Sequence, residues 1–191
     1  MLGNLLQSYA AANIPVTEGS ISLDQMNFFH DFLNNKGREV RTILEIGFNG
    51  GLSAALFLAA NRNIHVISID IGAHDYVLKA KHWIDKTFPH RHTLIIGDSQ
   101  EVLPRFEFTF NSYKPDMVFI DGGHTDDIPY KDLFNVHRII KGRCWVFVDD
   151  VCPAEPAVVE AVKRILKEEK YAVLGQNTTK DRGWVLLKKL E

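Results

Sequence analysis

Residues 42–70 read TILEIGFNGGLSAALFLAANRNIHVISID, and the order of patterns within that stretch decides the fold. Ile43 to Ile46 is aliphatic around a single acid, Glu45, and is followed by Gly47, Gly50 and Gly51. Gly51 to Ala60 is apolar and lacks β-branched residues, which predicts a helix; Ile64 to Ile69 is a second run rich in β-branched residues, closed by Asp70. Strand, glycine turn, helix and strand in this order form a βαβ unit. Strands this continuously apolar require helices on both faces of their sheet.

Downstream, Thr93 to Ile96, Met117 to Ile120 and Trp145 to Val148 repeat the strand pattern, with helices expected over His74 to Phe88, Ser99 to Phe108, Asp127 to Ile140 and Ala157 to Glu169. The alternation predicts an α/β domain with a doubly wound, mostly parallel sheet and right-handed crossovers. Tyr171 to Leu174 and Trp184 to Leu187 are separated only by a polar loop containing Gly183, too short for another crossover, so they should pair antiparallel. Upstream, Ser22 and Gln25 carry a capping-box signal, Met26, Phe29 and Leu33 an apolar stripe, and Gly37 a stop. Leu2, Leu5, Leu6 and Tyr9 share a helical face that should dock on the domain or on a second copy of it. The expected organisation is an N-terminal helical cap over 1–40 and a ligand-binding domain over 41–191.

The 191 residues are 46% hydrophobic and 24% charged, the make-up of one globular domain. Lys and Arg number 22 against 24 Asp and Glu, so the net charge of -2 offers no bulk attraction for nucleic acid. The longest apolar runs fall far short of the roughly 20 residues that span a bilayer. With no Lys or Arg before Lys36 the charged start of a secretory signal is missing. Cys144 and Cys152 are too few for a disulfide framework, and a cytoplasmic protein with reduced thiols is expected.

In an open α/β sheet a ligand sits beyond the carboxyl ends of the strands. Here those ends carry Glu45-Ile46-Gly47-Phe48-Asn49-Gly50-Gly51, Asp70, Asp98-Ser99, Asp121-Gly122-Gly123-His124 and Asp149-Asp150. The glycines let the backbone turn tightly and approach a ligand. They do not fit the dinucleotide fingerprint, because with Gly47 first its later glycine positions fall on Asn49 and Leu52. A pyrophosphate also avoids a rim of acids, which ranks a nicotinamide dehydrogenase low. A ligand with ribose hydroxyls and a positive centre suits these carboxylates, and S-adenosylmethionine has both.

These residues resemble class I S-adenosylmethionine-dependent methyltransferases from Arg41 onward. Glu45-x-Gly47-x-x-x-Gly51 is similar to the family's first motif, Asp70 to its ribose-binding acid and Gly97-Asp98-Ser99 to the segment beside the adenine. The resemblance implies a seven-stranded sheet in the order 3-2-1-4-5-7-6 with an antiparallel seventh strand. It also implies donor contacts at Glu45, Gly47, Phe48, Asn49, Gly51, Asp70, Asp98, Ser99 and Asp121. Asp121-Gly122-Gly123-His124 with Asp149-Asp150 narrows the similarity to the macrocin-type and catechol-type O-methyltransferases. That implies Mg²⁺ held by Asp121, Asp149 and Asp150, and His124 with Asp121 as catalytic residues, His124 as general base. The expected activity is metal-assisted O-methylation of a small hydroxylated molecule. Two alternatives stand beside it: a metal-independent methyltransferase with another acceptor, and a non-catalytic adenosyl-ligand-binding module. With nearly all the chain used for the donor-binding sheet, the acceptor site should be open and closed by residues 1–36 or by a second subunit, so a homo-oligomer is expected.

Overall fold

The computed structural model describes residues 2–17, 21–106, 114–140, 142 and 144–190. Its sheet runs β3-β2-β1-β4-β5-β7-β6, the order implied by the resemblance. The strands are β1 (Thr42–Ile46), β2 (His65–Asp70), β3 (His92–Ile96), β4 (Met117–Ile120), β5 (Trp145–Asp149), β6 (Tyr171–Thr178) and β7 (Gly183–Lys189). The first five are mutually parallel; β7 lies antiparallel between β5 and β6.

Alternation along each strand sorts the side chains between two cores, as the period of two in a pleated strand requires. Ile43, Val66, Met117, Phe119 and Phe147 enter one core, against α1 (Leu2–Ala11), α2 (Leu23–Asn34), α3 (Leu52–Ala60) and α4 (Tyr76–Thr87). Leu44, Ile46, Ile67, Val118 and Val146 enter the other, against α6 (Ile128–Ile139) and α7 (Pro156–Glu168). Between β3 and β4 the expected helix opens with a single α turn, α5 (Ser99–Val102), tightens to a 3-10 turn over Leu103–Arg105 and is α-helical again at Phe106. Pro104 has no N–H to continue the α pattern, and the predicted end at Phe108 lies outside the described residues.

The N-terminal helices join the first core. The capping box at Ser22 and Gln25 is formed on both sides, and α2 buries Phe29, Phe32 and Leu33. Phe29 meets Phe147 at 4.5 Å and Phe57 at 4.9 Å between ring centroids, an aromatic cluster that ties α2 to the middle of the sheet. Burying a side chain of that size contributes about 2 kcal/mol or more. From α1, Leu5 is buried, while Tyr9 packs edge-on against Trp83 and donates its hydroxyl to the Gly50 carbonyl at 2.8 Å. Of the two docking modes open to this helix, the described contacts are with its own domain.

Strand β6 runs four residues past its predicted end. The polar stretch Gly175 to Thr178 pairs with β7 at the sheet's edge, where strands tolerate water, and a bulge between Val173 and Gly175 absorbs the register shift. The hairpin loop shrinks to 179–182. Among the described residues no helix is long and apolar enough to cross a membrane.

Candidate functional site

The carboxyl ends of β1, β2, β3, β4 and β5 open into one cleft of about 620 Å³, within the range of small-ligand pockets. Gly47 turns the chain out of β1 with φ +89, and a Cβ there would lie 1.8 Å from the Asp121 carbonyl oxygen. Only glycine fits this crossing of the β1 and β4 loops. Gly51, at φ +74, begins α3 as its N-cap.

Asp70 anchors the first loop. Its Oδ2 accepts the Phe48 and Asn49 amides at 2.9 and 2.8 Å, and its Oδ1 the Gly72 amide at 2.7 Å. A carboxylate has about four acceptor sites, so three are used and one on Oδ1 remains for a ligand hydroxyl. The acid lines the cleft.

Three carboxylates crowd the opposite wall. Asp121 lies beside Asp149 and Asp150, and burial together with those neighbours and Glu45 pushes its pKa well above the usual carboxylate range. Asp149 is 8% exposed and raised to about 7, first by burial and then by Asp150; its Oδ1 accepts Gln25 Nε2 at 2.7 Å and the Asp150 amide at 2.9 Å. Asp150, at φ 56, is raised mainly by burial, with the His124 charge opposing. His124 Nε2 is 3.3 Å from Asp150 Oδ2, and its Nδ1 is 3.6 Å from Glu155 Oε2. One ligand atom each from Asp121, His124 and Asp150 lies within 4.8 Å of the other two; of the three carboxylates expected at a cation, Asp149 is not part of this group, and His124 stands in it instead. Mutual repulsion among carboxylates that are partly withdrawn from water is what a bound cation relieves.

Asp98 caps α5 by accepting the Gln100 amide at 2.8 Å and also faces the cleft. Ser99 lines it too, but its hydroxyl is given to Asp132 Oδ1 at 2.6 Å. Asp132 is 1% exposed, and burial raises its pKa to about 6. This hydrogen bond fastens the β3 loop to α6.

Of the residues predicted to contact a donor, Gly47, Asn49, Asp70, Asp98, Ser99 and Asp121 line the cleft. Glu45 does not reach it. The pleat turns its side chain toward Ile43's core, where it is fully buried and accepts the hydroxyls of Ser53 and Ser68, each at 2.5 Å. Burial lifts its pKa to about 7. The Phe48 ring also turns inward, stacking on His92 at 4.9 Å, so it offers the cleft no side chain. Gly51 and Phe48 border a smaller adjoining pocket of about 210 Å³, closed by Tyr9, Ile14, Val16 and Ile21 of the N-terminal segment.

Sequence reasoning missed Gln25, Glu155, His74, Asp181 and Arg182. Gln25 carried a visible signal, its capping-box position, but nothing local announces that the same amide reaches across 124 residues to Asp149. Asp181 and Arg182 line the cleft from the β6–β7 hairpin loop, and the Arg182 charge favours the ionised forms of Asp149 and Asp150.

Residues 44–151 match the family model described as a methyltransferase domain, more than half of the chain. Several solved structures share the fold. An O-methyltransferase from Bacillus cereus in complex with SAH superposes with a TM-score of 0.75 at 20% identity, covering 99% of this chain and 90% of that one. The Streptomyces achromogenes O-methyltransferase TomG, involved in tomaymycin synthesis and solved with SAM, gives 0.73 at 22%, covering 100% and 89%. An SAH-bound methyltransferase from Podospora anserina gives 0.79 at 15%, covering 98% and 88%. At such identities the likeness speaks for the fold alone. No curated protein matches the chain significantly by sequence.

Proposed function

Because the chain belongs to the methyltransferase-domain family, we propose that it transfers the methyl group of S-adenosylmethionine to a hydroxyl of a small molecule. The observation that carries this reading is the meeting of Asp121, His124 and Asp150 on the wall of the same cleft that Asp70 borders. The acid-rich rim suits a sulfonium, and the remaining acceptor site on Asp70 suits a ribose hydroxyl. The neighbours solved with SAM or SAH support this choice of donor.

The acceptor oxygen attacks the donor methyl carbon, the carbon–sulfur bond breaks with its electron pair going to sulfur, and the hydroxyl proton leaves to a base. His124 is placed for that role: its Nε2 faces Asp150 on the cleft wall, and the Glu155 carboxylate on the Nδ1 side would stabilise the ring once it has taken the proton. Asp121, Asp149 and Asp150 are hard oxygen donors of the kind Mg²⁺ prefers over imidazole, so the carboxylates would hold it and His124 is kept for the proton. When bound, the cation supplies positive charge that lowers the acceptor's pKa. Asp121 and Asp150 keep the acceptor oxygen on the donor side of the cleft, which fixes its orientation.

A second reading, transfer without a metal, is favoured by Arg182, whose charge already offsets part of the repulsion at Asp149 and Asp150. A chelator separates the two, because only the metal-assisted reaction responds. The reading also includes a cytoplasmic setting, in keeping with Cys144 and Cys152 as buried free thiols, and a homo-oligomer that covers the acceptor side. The decisive measurement is isothermal titration with S-adenosylmethionine, with and without Mg²⁺. Saturable binding is expected, and none under either condition ends the proposal.

A further inference from the structure

We propose that Gln25 is a positioning residue for the acidic wall, orienting Asp149 from the first turn of α2; this rests on the methyl-transfer reading above. Gln25 is 6% exposed, sits at the third position of α2 and lines the cleft. Its carboxamide has a fixed sense. Oε1 accepts the Ser22 amide at 3.0 Å, so the amide group must point the other way, and Nε2 donates to Asp149 Oδ1 at 2.7 Å. The Asp150 amide donates to the same oxygen at 2.9 Å. Two donors occupy both lone pairs of Oδ1, so whatever Asp149 offers a cation or acceptor, it offers through Oδ2.

The device has a consequence for order. Asp149 closes β5 and Gln25 opens α2, two elements already locked together by Phe29 against Phe147. The amide therefore rests on a rigid base, which is what a support for a reactive group requires. A merely structural capping residue would need only its Oε1. The donor half of the amide is spent on the acid.

Three proteins test this: the wild type, Gln25→Met, which keeps length and loses the donor, and Ser22→Ala, which weakens the cap and keeps the Gln25 amide. Mn²⁺ serves as the probe cation, followed by electron paramagnetic resonance, with S-adenosylmethionine affinity measured in parallel. Gln25→Met should weaken Mn²⁺ binding at least fivefold, with donor affinity within twofold of wild type, and its crystal structure should show the Asp149 carboxylate rotated. Ser22→Ala should change neither affinity by more than twofold. Unchanged Mn²⁺ affinity and an unmoved Asp149 in Gln25→Met would overturn the inference, as would an equal loss in Ser22→Ala. Should the wild type bind no Mn²⁺ or no donor, those readings fail on their own, and the Asp149 orientation in the two crystal structures still decides Gln25. If Gln25→Met does not fold, Gln25→Glu keeps the cap acceptor, loses the donor and takes its place in the crystallographic comparison.

Discussion

Glu45→Gln removes an ionisable group from beneath the glycine loop while keeping its shape, and its effect on stability should depend on pH. Glu45 is fully buried and its pKa is lifted from 4.5 to about 7 by burial, with the Ser53 and Ser68 hydroxyls pulling the other way. In the unfolded chain the acid ionises near its ordinary value. Between that value and about 7 the native state holds a proton that the unfolded state has released. The stability this group contributes is therefore complete below its unfolded pKa and is lost as pH rises through the folded one. The slope is about 1.4 kcal/mol per pH unit, giving about 3 kcal/mol in total. Glutamine does not titrate, and the two serine hydroxyls can rotate to serve its amide. In urea unfolding the variant should match wild type within about 1 kcal/mol at acidic pH, where Glu45 is neutral in both states, and exceed it by about 3 kcal/mol above neutrality. Because Glu45 lies outside the cleft, S-adenosylmethionine affinity should stay within about threefold of wild type. A stability difference that does not vary with pH, or a variant less stable than wild type above neutrality, refutes the argument from burial. Loss of donor affinity by more than tenfold would instead place Glu45 in contact with the ligand.

Gly47→Ala combines a clash of 1.8 Å with a disfavoured φ of +89, and should lower stability by about 3 kcal/mol or more, read as a fall in melting temperature. Asp70→Ala deprives three amides of their acceptor; it should cost about 2–4 kcal/mol and weaken S-adenosylmethionine binding at least tenfold by titration calorimetry. His124→Ala should slow methyl transfer by about a hundredfold or more while donor affinity holds, measured with labelled donor on an acceptor found by screening hydroxylated small molecules. An equal loss of donor affinity would make His124 a binding residue.

The order of elements was legible because the pattern of this chain switches cleanly between strand and helix periods: Ile43 to Ile46 and Met117 to Ile120 lie inside the observed strands. What differed locally had local causes, such as Pro104 falling where the helical turn tightens to 3-10 and the polar tail of β6 being read as loop. Gly47 and Asp70 were legible as cleft-lining residues because a backbone turn and a strand end are written in the local sequence. Side-chain direction was less legible, since motif position places Glu45 near a ligand whereas the pleat turns its side chain into the core. Phe48 follows the same logic. Gln25 and Arg182 were out of reach, because each enters the cleft from an element remote in sequence from the strand ends, and no spacing rule predicts a contact spanning 124 residues.

The strand made last in this sheet is not the one placed at its edge. β7 slots between β5 and β6, its Gly183 passing so close to Val151 that a Cβ would meet the carbonyl at 2.1 Å. During synthesis, at about 5–20 residues per second, the apolar strand Trp145–Asp149 must therefore wait with an unpaired edge until residues 183–189 emerge. For that interval the nascent chain presents an open template for pairing with another chain. Truncation before Gly183 would make the interval permanent. Such a product should accumulate in aggregates or on chaperones, however intact its ligand-binding loops.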